Sequence, residues 1–287
     1  MNDPGVDPAD LLVRVRSVLL DALAALADHR GAVIVVGAQA VHLRTGGIAV
    51  ALAETTKDAD VAIDSRHLGR DPRVENAMRA AKFAPSAQPG SWVNPEGIPV
   101  DLLVPEKLAG QAPAKARGSR LPPHDNRSMR RTKGLEAAVI DHSEMPVRAL
   151  DPADVRAITA RVAGPTALLI AKCHKIYERI GAPVHRINDK DAHDAYRLFQ
   201  ATDTEILRDT IVELLDNDVS ADITRQALPM LDELFAAGPD AYGSAMAGRA
   251  EEGVGEPEQV AVAVSYLAAD LIEDLRREGL YVGVAAR

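Results

Sequence analysis

Aromatic residues make up only 3% of this 287-residue chain: one tryptophan, three phenylalanines and five tyrosines. Such scarcity leaves few flat rings on which the bases of a single strand could stack, so that mode of nucleic-acid binding is not advertised. Cys173 is the only cysteine. It excludes an internal disulfide and a cysteine-rich zinc site, and it suits a reducing cytosol. His185 and His193 lie near acids but eight residues apart without further ligands, which makes a poor zinc site. No run of roughly eighteen apolar residues occurs, so no membrane-spanning helix and no membrane partner are expected. The N-terminus, MNDPGVDPADLL, has acids and no basic stretch. It reads as no secretion signal, and a cytoplasmic location is expected.

What is present fits a soluble globular protein: 47% of residues are hydrophobic and the net charge is −9. The length accommodates two domains, each with its own core. The charge is segregated. Residues 107–134 hold eight Lys or Arg against one acid, Asp125, in a stretch broken by Pro, Gly and Ser that reads as a mobile loop or an insertion. Residues 198–287 hold eighteen acids against six bases. Apolar residues at helical spacing (Leu11, Leu12, Val15, Val18, Leu19, Ala22, Leu23, Leu26) predict a core-facing helix over 8–29. Strands and helices alternate over 31–150, with a helix over 73–83 and further strands over 137–140 and 146–150. From about 152 the chain reads as helical and ends in a long amphipathic helix over 258–278. The expected fold class is therefore α+β: residues 1–150 form a mixed β-sheet domain with an N-terminal helix, and residues 151–287 form a mostly helical domain.

Within the first domain, TTKDADVAID at 55–64 carries two aspartates on a strand-like alternation. Asp58 and Asp60 point the same way, roughly 7 Å apart at the backbone from a rise of ~3.3 Å per residue. Side chains so placed can converge on Mg2+, which takes oxygen ligands and shares them with phosphates. A solvated strand face has the same letters, although Asp is a poor strand former. Upstream, the apolar run Ala32–Val36 is closed by Gly37 and followed by a helical stretch through Arg44. Strand, glycine and helix N-terminus together can bind phosphate, because the free N–H groups of the first turn attract an anion. Downstream, Asp101 is embedded in the apolar strand Gly97–Pro105, where an acid is costly unless paired, metal-bound or at a strand end.

In the second half, PTALLIAKCHKIYERI at 165–180 sets Lys172, Lys175 and Arg179 on one helix face. A following helix, capped by Asn188 or Asp189, sets Asp191 and Asp194 on one face. A charged helix face laced with ion pairs, such as Lys190 with Asp194, accounts for the same letters.

The strand closed by Gly37, the Asp58-Ala59-Asp60 strand and the later Asp101 together resemble the nucleotidyltransferase fold. Within it the chain looks most like the AbiEii-type and MenT-type toxins of toxin–antitoxin systems. Their first motif is Gly followed by Gly or Ser; here it is Gly37-Ala38, which removes a hydroxyl or a flexible glycine. The second motif matches as Thr56-Lys57-Asp58-Ala59-Asp60. A K…R…KDxxDxxxL pattern is matched by Lys172, Arg179, Lys190, Asp191, Asp194 and Leu198.

The resemblance implies transfer of a nucleoside monophosphate from an NTP, with Mg2+ or Mn2+, to tRNA at its 3′ acceptor end. Blocked aminoacylation and growth arrest would follow, and a cognate antitoxin is expected. It implies that Asp58 and Asp60 hold the metal and that Asp101 holds a second ion or accepts the acceptor's proton. Lys172 contacts the triphosphate, aided by Lys175 or Arg179, and Asp191 or Asp194 orients it, so that both halves contribute to the site. Gly37, Ala38 and Arg44 are expected at the nucleotide, and Ser65 and Arg66 flank the second motif as phosphate or sugar contacts. Where some relatives are silenced by phosphorylation near that motif, Thr55 and Thr56 are the available hydroxyls. The basic stretch, with Lys115, Arg117, Arg120, Arg127, Arg130, Arg131 and Lys133, is the expected RNA grip. A transferase acting on an aminoglycoside-like small molecule, or a binding module that has lost catalysis, are the alternatives.

Overall fold

The computed structural model describes residues 8–46, 56–111, 113, 115–181 and 188–283. The chain divides into two compact units, Met1–Leu43 with Thr55–Ala163, and Arg44–Glu54 with Gly164–Arg287. The expected boundary at 150 thus falls at 163 instead. The reason lies in the sheet: its strand at Ala157–Ala163 pairs with strands on both sides and belongs to the first unit.

The first unit begins with helix α1 (Pro8–Ala25), which buries Val15, Val18, Leu19, Ala22 and Leu23. Strand β1 (Val33–Val36) follows, then helix α2 (Gly37–Thr45), whose last two residues count with the second unit. Next come β2 (Ala59–Ile63), α3 (Val74–Ala80), β3 (Ala84–Pro85), β4 (Ser91–Val93), β5 (Pro99–Pro105), β6 (Arg130–Thr132), β7 (His142–Arg148) and β8 (Ala157–Ala163). The sheet runs β3-β4-β5-β2-β1-β8-β7, with β6 paired to β5 off that path. It is mixed: β2 is antiparallel to β1 but parallel to β5, and β1 is parallel to β8. β1 and β2 lie at its centre, so Val33–Val36 and Val61–Ile63 are buried on both faces, as continuous apolar strands are. The sequence alternation at 58–63 suggested a half-buried strand, yet Ala62 is as inaccessible as Val61. Only the polar end, Asp58 and Asp60, is partly open.

Two expectations are corrected. Residues Glu136–Val139 form a buried single turn of 3-10 helix rather than a strand, and the strand begins after it, at His142. The described part of the basic stretch 107–134 is anchored rather than a mobile loop. Ser119, His124, Ser128 and Met129 are buried, and β6 pairs with β5. The Trp92 indole donates to the Ser128 carbonyl at 2.9 Å, the Val74 amide donates to His124 Nδ1 at 3.2 Å, and Glu75 accepts from Ser128 Oγ at 3.0 Å. Small polar residues that look like linker letters are here the caps and partners of a packed segment.

The second unit is helical: α4 (Pro165–Glu178), α5 (Asp189–Ala201), α6 (Thr204–Asp216), α7 (Ala221–Leu231), α8 (Tyr242–Arg249) and α9 (Pro257–Arg277). Pro165 opens α4 at a first-turn position, where its missing N–H is no loss. Asn188 caps α5, its side chain accepting from the Lys190 amide at 3.0 Å. Leu198, Leu214, Phe235, Val264 and Leu271 are fully inaccessible at the centre of this unit.

Candidate metal centre

Strand register builds the acidic site of the first unit. Asp60 on β2 stands opposite Val36 of β1 on one side and Asp101 of β5 on the other, and Asp101 in turn faces Ser91 of β4. Neighbouring strands lie about 4.8 Å apart, so register partners hold their side chains close on one face. Asp58 lies just before β2; its Oδ1 and its carbonyl accept from Thr56 Oγ1 at 2.9 and 3.0 Å. One carboxylate oxygen from each of Asp58, Asp60 and Asp101 lies within 4.8 Å of the others, and all three residues are half-buried. This is the one such group found among the described residues.

Burial pushes the Asp101 carboxyl above the usual carboxylate range. The Arg130 charge and a hydrogen bond from Ser91 work against that shift, and the Asp58 charge adds to it. Three carboxylates converging where water is partly excluded repel one another, and a bound cation relieves that repulsion. An all-oxygen anionic set suits a hard divalent ion, so the group could hold a divalent metal.

Gly37 is required by this arrangement. Its φ is +65°, and a Cβ built there would lie 2.2 Å from Asp60 Oδ2. The glycine makes room for the carboxylate. Ala38 lies half-buried in the first turn of α2, while Arg44 stands at the opposite end of that helix, about 10 Å away at 1.5 Å per residue. Ser65 and Arg66 are engaged elsewhere: Ser65 Oγ donates to the Leu108 carbonyl at 2.8 Å, and Arg66 forks onto Asp64 at 2.9 and 2.7 Å. Thr55, His185 and Arg186 lie outside the described residues.

Sequence reasoning missed one residue here and assigned another a different contact. Arg16, inside the apolar helix α1, is 2% exposed and donates from Nε to Gln39 Oε1 at 2.7 Å, tying α1 to the first turn of α2. Burial lowers its pKa to about 10. Arg130, expected to grip RNA, instead donates from Nη2 to Asp101 Oδ2 at 2.6 Å and from Nη1 to Gln88 Oε1 at 3.3 Å. Only its place in a basic stretch was visible in sequence; its pairing depends on β6 lying beside β5.

The second unit gathers the other predicted residues by itself. Lys172 Nζ on α4 donates to Asp191 Oδ1 at 2.7 Å and to Asp194 Oδ2 at 2.5 Å, both on α5. Lys175 reaches Asp191 at 2.9 Å and Arg179 reaches it at 3.0 Å. The Lys172, Asp191 and Asp194 side chains are 6%, 4% and 8% exposed, against 43% for Lys175 and 30% for Arg179. Burial alone would lower the Lys172 pKa, but the two carboxylates outweigh it and raise the value. Burial likewise opposes ionisation of Asp191, yet Lys172 and Lys175 hold it well below the usual range. Both aspartates contact the lysine, so neither of the two sequence candidates is set aside. On the same helix His193 pairs with Glu251 at 2.6 Å, both buried, which engages it away from a zinc role. The buried Cys173 thiol is pushed up to about 12 by burial, so it is no thiolate near neutrality.

In the basic stretch Lys115, Arg117, Arg120, Arg127 and Lys133 are exposed, while Arg131 pairs with Glu106 at 3.0 Å. No helix of the described residues is long and apolar enough to cross a membrane.

No protein-family profile and no curated protein sequence matches the chain. Among solved structures it is similar to one described as a "putative nucleotidyltransferase from H. pylori", at 10% identity over 93% of this chain and 97% of the other, with a TM-score of 0.30. That score is too low to bear on fold or chemistry. What stands is a mixed α+β architecture whose sheet carries an acidic triad able to hold a divalent metal.

Proposed function

We propose that the chain is a metal-dependent nucleotidyltransferase that moves a nucleoside monophosphate from an NTP onto RNA, at the 3′ end of tRNA. The observation that carries this reading is the convergence of Asp58, Asp60 and Asp101 within 4.8 Å, directly beside the Gly37 start of α2. Such a pairing of oxygen ligands with a helix N-terminus suits a cation and a phosphate together.

Asp58, Asp60 and Asp101 would hold Mg2+, or Mn2+ in its place, which when bound neutralises charge on the phosphates as pyrophosphate leaves. The backbone N–H groups of the first turn of α2 draw the phosphate chain. Thr56 and Ser91 keep the flanking carboxylates in one pose, so little reorganisation is needed at the moment of transfer. In the transfer the acceptor hydroxyl gives up its proton to solvent water, its oxygen bonds to the α-phosphorus, the α–β bridging bond breaks, and pyrophosphate departs. In the second unit, Lys175 and Arg179 are the solvent-reached cations of the Lys172–Asp191–Asp194 group and attract phosphate. Lys172 holds that group together.

The tRNA acceptor, the toxin-like outcome and the cognate antitoxin rest on the motif resemblance. The exposed cations of the basic stretch support an RNA partner. Incubation with Mg2+, each α-labelled NTP and either total tRNA or an aminoglycoside panel tests the reading. Label on tRNA that disappears in Asp60→Asn supports it. Label confined to the small molecules replaces the acceptor, and no labelling by a folded protein overturns the transferase assignment.

A further inference from the structure

The guanidinium of Arg130 is placed by backbone rather than by chance. Arg130 pairs with Leu103 through β6 and bridges Gly118 on its other side. Gly90 packs so close that a Cβ there would lie 2.4 Å from the Arg130 nitrogen. From that fixed base the side chain reaches Asp101 Oδ2 at 2.6 Å and Gln88 at 3.3 Å. An arginine has five N–H donors, so these bonds leave others to spare. The Arg130 side chain is 28% exposed and that of Asp101 is 14% exposed, so the ion pair is only partly withdrawn from solvent.

We propose that Arg130 is a substrate-binding residue that divides the charge of the site. It acts as the counter-ion of Asp101 and so weakens cation binding at the triad, while its spare N–H groups bind a phosphate oxygen of the nucleoside triphosphate. The inference rests on the reading of the triad as a metal and nucleotide site, and it adds a consequence that reading does not contain. Removing one positive charge beside three carboxylates strengthens their attraction for a divalent ion. Removing the same fork of donors weakens the hold on phosphate. The two affinities therefore move in opposite directions, which a merely structural arginine would not produce.

Mn2+ binding is measured without nucleotide by electron paramagnetic resonance, and binding of a fluorescent non-hydrolysable NTP analogue is measured at saturating Mn2+. In Arg130→Gln the Mn2+ affinity is expected to rise about tenfold and the nucleotide affinity to fall about tenfold, each roughly 1.4 kcal/mol. Arg130→Lys keeps the charge but loses the fork: its Mn2+ affinity is expected to stay near that of the parent while nucleotide binding is only partly restored. Far-UV circular dichroism checks folding, and if Arg130→Gln does not fold the lysine variant decides by the same two readouts. Both affinities unchanged, or both lower, in a folded variant overturns the inference. Should the parent protein bind no Mn2+, or bind it equally well as Asp60→Asn, the triad reading itself falls and this inference with it.

Discussion

Gly37→Ala isolates how tightly the carboxylate site is built. An L-residue at positive φ costs about 1–2 kcal/mol for backbone strain alone. Gly97 supplies the control, because its φ is +85° and nothing lies within 4 Å of a Cβ built there, whereas the same atom at Gly37 falls 2.2 Å from Asp60 Oδ2. Both alanines restrict the unfolded chain alike, so that contribution cancels in the comparison. Ordinary contact begins at 3.4 Å, so the Asp60 carboxylate must retreat by 3.4 − 2.2 = 1.2 Å. Asp60 Cβ also lies 2.9 Å from the built atom, so side-chain rotation alone does not relieve the clash, and the Asp60 backbone is held between β1 and β5. Such overpacking adds about 1–3 kcal/mol. It also takes the oxygen off a site where Mg2+ tolerates little departure from about 2.1 Å, so cation affinity is expected to fall at least about tenfold. Urea unfolding and Mn2+ titration of both variants give the two readouts. If Gly37→Ala unfolds no more easily than Gly97→Ala and binds Mn2+ as the parent does, the close approach of Asp60 is not a constraint and the reasoning fails.

Lys172→Met is expected to destabilise the second unit by about 3–5 kcal/mol, because it strands Asp194 away from water. Adding Asp194→Leu to it is expected to recover part of that loss in the same urea melt, and a purely additive result would count against the buried-charge explanation. Asp191 binds protons less readily folded than unfolded, so below its ordinary value of 3.8 the unfolded chain takes up more protons and stability falls with pH. The contribution is complete above that value and is lost as pH drops through the lowered folded one; Asp191→Asn is expected to flatten the dependence in unfolding curves between about pH 5 and 2. Replacing Lys115, Arg117, Arg120 and Arg127 by Gln is expected to reduce the salt slope of tRNA binding by about one per phosphate contact removed. An unchanged slope would release these residues from any RNA role.

The carboxylate pair at 58–60 was legible because two aspartates at strand spacing violate the preference of strands, and a violated local preference marks a constrained site. Asp101 was legible for the same reason. Their meeting was not: it depends on the parallel pairing that sets Asp60 beside Asp101, and register between distant strands leaves no trace in local letters. Helices were read closely where an apolar stripe or a cap fixed them, as with α1, α9 and the Asn188 cap of α5. The errors share a cause. Residues 137–140 have strand composition but are packed as one turn, and 107–134 has linker composition but is anchored by Trp92, Glu75 and β5, so tertiary contacts overrode local propensity in both.

The two charged groups differ in a way that bears on what each can do. Around Lys172 the acids and cations are matched on the spot: the lysine has two carboxylates and Asp191 has three cations, and the shifts of Lys172 and Asp191 run toward keeping both charged. A group so balanced is a fixed element, and what it offers outward is the positive charge of Lys175 and Arg179. Around Asp101 the balance runs the other way. Arg130 contacts it, yet burial, the largest cause, still pushes its carboxyl upward, with the Asp58 charge adding to that shift. Half-buried carboxylates brought this close together are costly to keep charged. A cation would offset that cost, and the half-buried oxygens of Asp58, Asp60 and Asp101 lie close enough together to hold a divalent one.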